Sequence, residues 1–178
     1  MNYQIRVIDK FSKNDIALYK NIAKLISPIS ETYPKYNEWL FTKFFPELKT
    51  QKRKIIVAYT KKNTPIGVAL LKDYNEEKKI CSLFVKEDCR GKGIASNLIK
   101  KSCEVLNTNK PLLTVSDKNL PMLQKLLDKN GFKFSYKRSG VYQKEDTENY
   151  FNNEATEILK KDILTPLLLR IKNNSQKE

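Results

Sequence analysis

Apolar and polar positions alternate from Tyr3 to Ile8, the period of a strand with one covered face. Ile16, Leu18, Ile22, Leu25 and Ile26 then recur at helical spacing, with Asn14 or Asp15 placed as N-cap and Pro28 as the stop. A second helical stretch runs from Lys35 to Phe45, carries Tyr36, Trp39, Leu40, Phe41 and Phe44, and precedes Pro46. Ile55 to Thr60 and Ile66 to Lys72 are apolar runs around the turn from Lys61 to Pro65, which predicts an antiparallel hairpin. A further turn at Asn75, Glu76 and Glu77 leads into a strand from Lys79 to Val85.

Beyond two glycines, Ile94, Leu98, Ile99, Val105 and Leu106 return to helical spacing, and Leu112 to Val115 is a short buried strand. A helix begins near Asn119, tolerates Pro121 in its first turn and meets a left-handed stop at Asn130-Gly131. Phe132 to Arg138 predicts the next strand. Val141 to Phe151 predicts another, interrupted at Glu145, Asp146 and Thr147. Residues 1–152 thus form one domain, 153–172 an amphipathic helix with a break at Pro166, and 173–178 a tail without apolar residues. That helix can dock on its own domain or on a second subunit, so a homodimer is compatible with the pattern.

Composition narrows the chemistry. The 178 residues are 40% apolar, enough for one sizeable core. No apolar run is long enough to cross a membrane and the N-terminus lacks the layout of a signal peptide, so a cytoplasmic protein without membrane contact is expected. There is no histidine, and Cys81, Cys89 and Cys103 have no paired spacing, so neither a metal site nor a disulfide framework is expected. Ser-His-Asp and Cys-His catalysis are excluded outright. Cys89, beside Arg90 and ahead of a helix start, stands where a thiol pKa is lowered. The net charge of +14 favours an acidic partner such as RNA or a polyanionic cofactor. Only five of the 34 basic residues are arginine, however, and arginine is the residue suited to bidentate phosphate and base recognition. The basic run Lys49, Lys52, Arg53 and Lys54 reads as a solvated turn.

The stretch between the Val85 strand and the Ile94 helix points to an anion. Gly91 and Gly93 allow backbone angles closed to other residues, and the first turn of a helix offers amides without internal partners. Arg90 and Lys92 add full positive charges, so a phosphate or pyrophosphate suits the turn. Neither the P-loop nor the Rossmann glycine spacing is present.

Arg90-Gly91-Lys92-Gly93-Ile94-Ala95, set between a strand and a helix and followed by a strand-helix-Gly-Phe unit from Pro111 to Phe132, resembles the pyrophosphate loop of the GNAT acetyltransferase superfamily. The resemblance covers roughly residues 3 to 150. It implies an α/β fold of the α+β type: a mixed, mainly antiparallel sheet flanked by helices. It also implies an acetyl-CoA-dependent N-acetyltransferase that transfers the acetyl group to a primary amine on a small molecule or peptide, leaving CoA. Cofactor contacts carried over by position are Phe84, Val85, Arg90, Gly91, Lys92, Gly93, Ile94, Ala95, Ser96 and Asn119, the last displaced by one residue from the family's asparagine. Splaying of the Val85 strand from the Leu112 strand would free backbone groups for the pantetheine arm.

Candidate bases are Asp73, Glu76, Glu77, Glu87 and Asp88, and family position selects Glu77. Many members carry a tyrosine general acid four residues before the Gly-Phe pair. That position is Leu127, which cannot donate a proton. Tyr142 is the favoured replacement, with Tyr136, Ser116 or a water as alternatives. Two other functions remain open on these residues: a non-catalytic CoA-binding module, motivated by Leu127, and acetylation of aminoacyl-tRNA, motivated by the charge.

Overall fold

The computed structural model describes residues 2–74 and 76–153. The amphipathic helix expected over 153–172 and the tail 173–178 fall, from 154 on, outside the described residues. Seven strands form one sheet in the order β1-β2-β3-β4-β5-β7-β6. They are β1 (Tyr3–Ile8), β2 (Arg53–Thr60), β3 (Pro65–Tyr74), β4 (Glu77–Val85), β5 (Leu112–Ser116), β6 (Phe134–Ser139) and β7 (Thr147–Phe151). All neighbours are antiparallel except β4 and β5.

Both faces of the central strands are covered, which is why β2 and β3 read as continuous apolar runs. Ile56, Ala58, Ala69 and Leu71 face α4 (Ile94–Leu106) and α5 (Leu120–Lys129). Ile55, Val57, Val68 and Leu70 face α1 (Ile16–Leu25) and the helical segment that starts with α2 (Tyr36–Trp39), passes through a π-helical turn Leu40–Phe44 and ends in α3 (Phe45–Glu47). Gly67 lets α4 come down onto β3. A Cβ there would stand 3.1 Å from Ile94 Cγ2 and 3.2 Å from Leu98 Cδ1.

Several local expectations are corrected. Asp15 does not cap α1 with its side chain and instead pairs with Arg6 at 3.1 Å. Pro28 does not stop α1, which ends at Leu25; the proline sits in the first turn of a following 3-10 segment, Ser27–Glu31. The basic run is not a solvated turn throughout. Arg53 is 4% exposed, bonded to Glu47 Oε2 at 2.7 Å and laid over the Phe44 and Tyr74 rings, and Lys54 pairs with Asp73. Most aromatics of the second helical stretch belong to the core: Tyr36 and Phe44 are buried, whereas Phe41 is exposed. Finally, residues 141–146 form a turn rather than strand, closed by Gly140 N–H donating to Asp146 O at 2.9 Å. Among the described residues no helix is long and apolar enough to cross a membrane.

Candidate active site

The sheet opens at the parallel pair of the described strands. β4 and β5 are joined at Lys79↔Leu112 and Ile80↔Leu113 and nowhere further. The cause lies one residue later. The β3–β4 register slips between Leu70↔Ser82 and Leu71↔Ile80, so Cys81 is an extra residue in β4. A bulge bends and twists the strand that carries it. β4 therefore turns away while β5 stays with β7 through Ser116↔Glu148. Past the bulge, Lys86 N–H donates to Ile66 O at 2.9 Å on the β3 side, so by ladder alternation Val85 directs its backbone groups into the opening. Arg90 Nε donates to that Val85 carbonyl at 3.1 Å.

At the end of β4 the chain makes a 3-10 turn, Glu87–Cys89, and enters α4 through Gly91 at φ +73° and Gly93 at φ +78°. Both angles are in the left-handed region, where a side chain is strained. A Cβ on either glycine would meet nothing within 4 Å, so the outer side of the loop is open. The first intrahelical bond is Asn97 N–H to Gly93 O at 3.1 Å, and α4 has no side-chain cap. Among the described residues no protein oxygen accepts from the amides of residues 91–96. Six free amides at the positive end of a thirteen-residue helix, with no acidic residue in its first turn, form an anion cradle.

The predicted contacts divide accordingly. Gly91, Lys92, Gly93, Ile94, Ala95 and Ser96 bring their amides together in this cradle. The side chains are partly committed elsewhere: Lys92 Nζ to Asp88 O at 2.7 Å, Ser96 Oγ to Asn130 at 3.2 Å, and Ile94 to the core. Phe84 packs against the α1-side core and Val85 lines the α4-side core. Asn119 stands at the start of α5, with its amide 3.4 Å from Thr32 Oγ1. Glu77 begins β4, before the β4–β5 pairing, and its carboxylate is held by Lys72 at 2.9 Å. It does not enter the opening.

What gathers on the α1 face of the opening is a different group. Thr114 and Ser116 of β5 and Glu148 of β7 point to that side, opposite to Leu113, Val115 and Phe151 in the α4-side core. Tyr33, in the connection after α1, receives the Ser116 N–H at 3.2 Å and meets Tyr142 edge to face at 5.2 Å. The loop bearing Tyr142 is tied to the same connection by Gln143 Nε2 donating to Thr32 O at 2.6 Å. Glu148 is 1% exposed, and among the described residues no well-aligned donor serves either carboxylate oxygen. Burial pushes its pKa up to about 6; the nearby Tyr33 and Thr114 hydroxyls and the Lys79 charge oppose that rise, and Asp146 adds to it. Burial, then the Glu148 charge, raises the Tyr142 pKa, although half of that residue is exposed.

Glu148 and Tyr33 were not foreseen from the sequence. The available signal was a strand, Thr147–Phe151, with two consecutive polar residues at its centre, both of which prove fully buried. Leu127, at 1% exposure, is a core side chain of α5. Burial also pushes the Cys81, Cys89 and Cys103 thiols up, so the lowered pKa expected for Cys89 is reversed. A buried thiol held protonated is a poor acyl carrier.

Comparison with known proteins agrees with this geometry. The acetyltransferase (GNAT) domain model matches residues 30–144, more than half of the chain. No curated protein matches the sequence. Among solved structures, an acetyltransferase of the GNAT family from Bacillus cereus is 17% identical, with a TM-score of 0.63 over 85% of this chain and 96% of that one. An aminoglycoside 6'-N-acetyltransferase complexed with coenzyme A is 12% identical, with a TM-score of 0.61 over 85% and 95%. A nourseothricin acetyltransferase is 16% identical with a TM-score of 0.51, and there the match covers 58% of this chain and 65% of the other. With the family model spanning the splayed strands and the amide cradle, the chain belongs to the GNAT acetyltransferase family.

Proposed function

We propose that this protein transfers the acetyl group of acetyl-CoA to a primary amine by direct attack of the amine on the thioester. The observation that carries the reading is the pairing of an open β4 edge with the six free amides of residues 91–96. These groups suit the two polar parts of acetyl-CoA: the pyrophosphate at the helix start and the pantetheine amides along the strand. The solved aminoglycoside acetyltransferase, complexed with coenzyme A, supports the assignment. Acetyl-CoA supplies an activated acyl carbon whose leaving group is a thiolate.

The chain's own residues do the remaining work. Amides of the cradle hold negative charge, and Val85 and its neighbours on β4 offer hydrogen bonds along the opening. The acceptor enters from the α1 face, where Tyr33 and Tyr142 meet. An alkylammonium has a pKa near 10.4, so nearly all of it is protonated at neutral pH and must lose a proton before attack. A base within reach of the reacting nitrogen accelerates this step by roughly 10² to 10⁴. Tyr142, half exposed and packed edge to face on Tyr33, is the proton donor this reading assigns to the departing sulfur.

Calorimetric titration of acetyl-CoA into wild type and Gly93→Glu tests the assignment. Binding with a Kd on the order of micromolar is expected for wild type. Gly93→Glu places a carboxylate against the cradle and abolishes binding, with the circular dichroism spectrum unchanged. Absence of binding by wild type overturns the reading.

A further inference from the structure

Buried polar atoms without partners are rare in folded proteins, and each asks for a cause. Here three lie together where β5 and β7 end, Ser116 Oγ and both oxygens of Glu148, while a fourth, Asn149 Oδ1, is on the other face of β7. Glu148 and Ser116 face the α1 side of the opening, directly opposite each other in register. The groups around the carboxylate come from every neighbouring element: Tyr33 after α1, Lys79 on β4, Thr114 and Ser116 on β5, and Tyr142 and Asp146 from the connection ahead of β7. Tyr142 is half exposed and packs edge-on against Tyr33, so it stands between this cluster and solvent.

We propose that Glu148 receives the ammonium group of the acceptor and takes up its proton, and that the acceptor is a primary alkylamine with no carboxylate beside the reacting nitrogen. The inference rests on the acetyl-transfer function above. An ammonium group has three donors, and the site holds three acceptor atoms that no well-aligned donor serves among the described residues, two on Glu148 and one on Ser116, with the Tyr33 and Thr114 hydroxyls close by. The rings of Tyr33 and Tyr142 border the approach and suit a cation on an alkyl stem. A carboxylate next to the nitrogen would be brought against Glu148 in a water-poor setting, with Asp146 adding repulsion. An α-amino acid is thereby rejected, whereas a chain-end amine is accepted. Glu77, tied to Lys72 ahead of the opening, leaves this role to Glu148.

The step balances as follows. The ammonium gives one proton to the Glu148 carboxylate, and the freed electron pair forms the C–N bond at the thioester carbon. The C–S bond breaks with its electrons on sulfur. The second proton lost by nitrogen passes to that sulfur, and Glu148 returns its proton to water. The products are the N-alkylacetamide, CoA and one proton.

A matched pair of probes tests the proposal: n-pentylamine and norleucine, which differ by one carboxylate. With CoA bound, the Glu148 side-chain carboxyl is followed by carbon-13 NMR through a pH titration, its signal identified by loss in Glu148→Gln. Saturating pentylamine is expected to lower the proton affinity of Glu148 at least about tenfold, and norleucine to leave it in place. Glu148→Gln is expected to lose pentylamine binding while binding CoA as wild type does. Titration unchanged by pentylamine, an equal response to both probes, or intact pentylamine binding in the variant would each overturn the proposal while CoA binding upholds the acetyl-transfer function. Failure of the wild type to bind CoA removes both.

Discussion

Replacing Glu148 by glutamine keeps the shape of the side chain and removes its charge, and the structure fixes how stability responds. In the folded protein burial raises the pKa of Glu148 from the ordinary 4.5 to about 6. Between those values the folded state binds more protons than the unfolded state, so stability falls as pH rises, and the full penalty is present above about pH 6. At 1.36 kcal/mol for each pH unit, the difference amounts to about 2 kcal/mol. Although the residue is 1% exposed, its carboxyl borders the opening, where solvent screens part of the charge, so this figure is an upper value. Glu148→Gln is therefore expected to be more stable than wild type by up to about 2 kcal/mol at pH 8, equivalent to at most roughly 4–8 °C in Tm, and equal to it near pH 4. Guanidinium denaturation of both proteins at intervals across that range measures the gap. Groups with lowered pKa, such as Glu47 and Glu104, act equally in both proteins and cancel in the difference. A gap that does not change with pH, or a variant less stable at pH 8, refutes the reasoning.

Other consequences follow from contacts already described. Arg53→Ala removes a buried guanidinium from Glu47, which stays partly exposed and keeps the Tyr74 hydroxyl, and is expected to cost about 1–3 kcal/mol in urea denaturation. Tyr36→Phe deletes the buried 2.8 Å hydrogen bond to Ser82 next to the β4 bulge, with an expected loss of about 1 kcal/mol. Leu127→Tyr, which restores the family's usual residue type, overpacks a filled core. It is expected to destabilise by about 1–3 kcal/mol and to leave kcat no higher, as thermal melts and steady-state rates with any accepted amine will show.

The sequence by itself determined the family and the frame that supports it. Alternation, helical spacing and the two glycines placed six of the seven strands and the α4 start within a few residues, because these signals are local: a period, a cap, a left-handed turn. The pattern overextends the seventh, β7, since the Gly140 to Asp146 closure that ends the preceding turn has no apolar pattern. Arg53 departs from its sequence pattern for a related reason. A basic residue in a basic run looks solvated until Glu47, Phe44 and Tyr74 converge on it.

Only the tertiary structure decided the chemistry on the acceptor side. Tyr33, Thr114 and the pair Tyr142 and Glu148 come from three distant parts of the chain, and none belongs to a local motif. Their common position depends on the Cys81 bulge, which separates β4 from β5, and on the antiparallel return of β7, which sets Glu148 opposite Ser116. Whether a carboxylate is a solvated turn residue or a buried base is set by what surrounds it. For Glu77 the hairpin supplies a lysine at 2.9 Å, and for Glu148 the fold supplies burial with only the Tyr33 and Thr114 hydroxyls close by. Desolvation is a property of assembled neighbours, so pairwise sequence spacing does not encode it, whereas backbone-amide anion sites are written in glycine position and can be read directly.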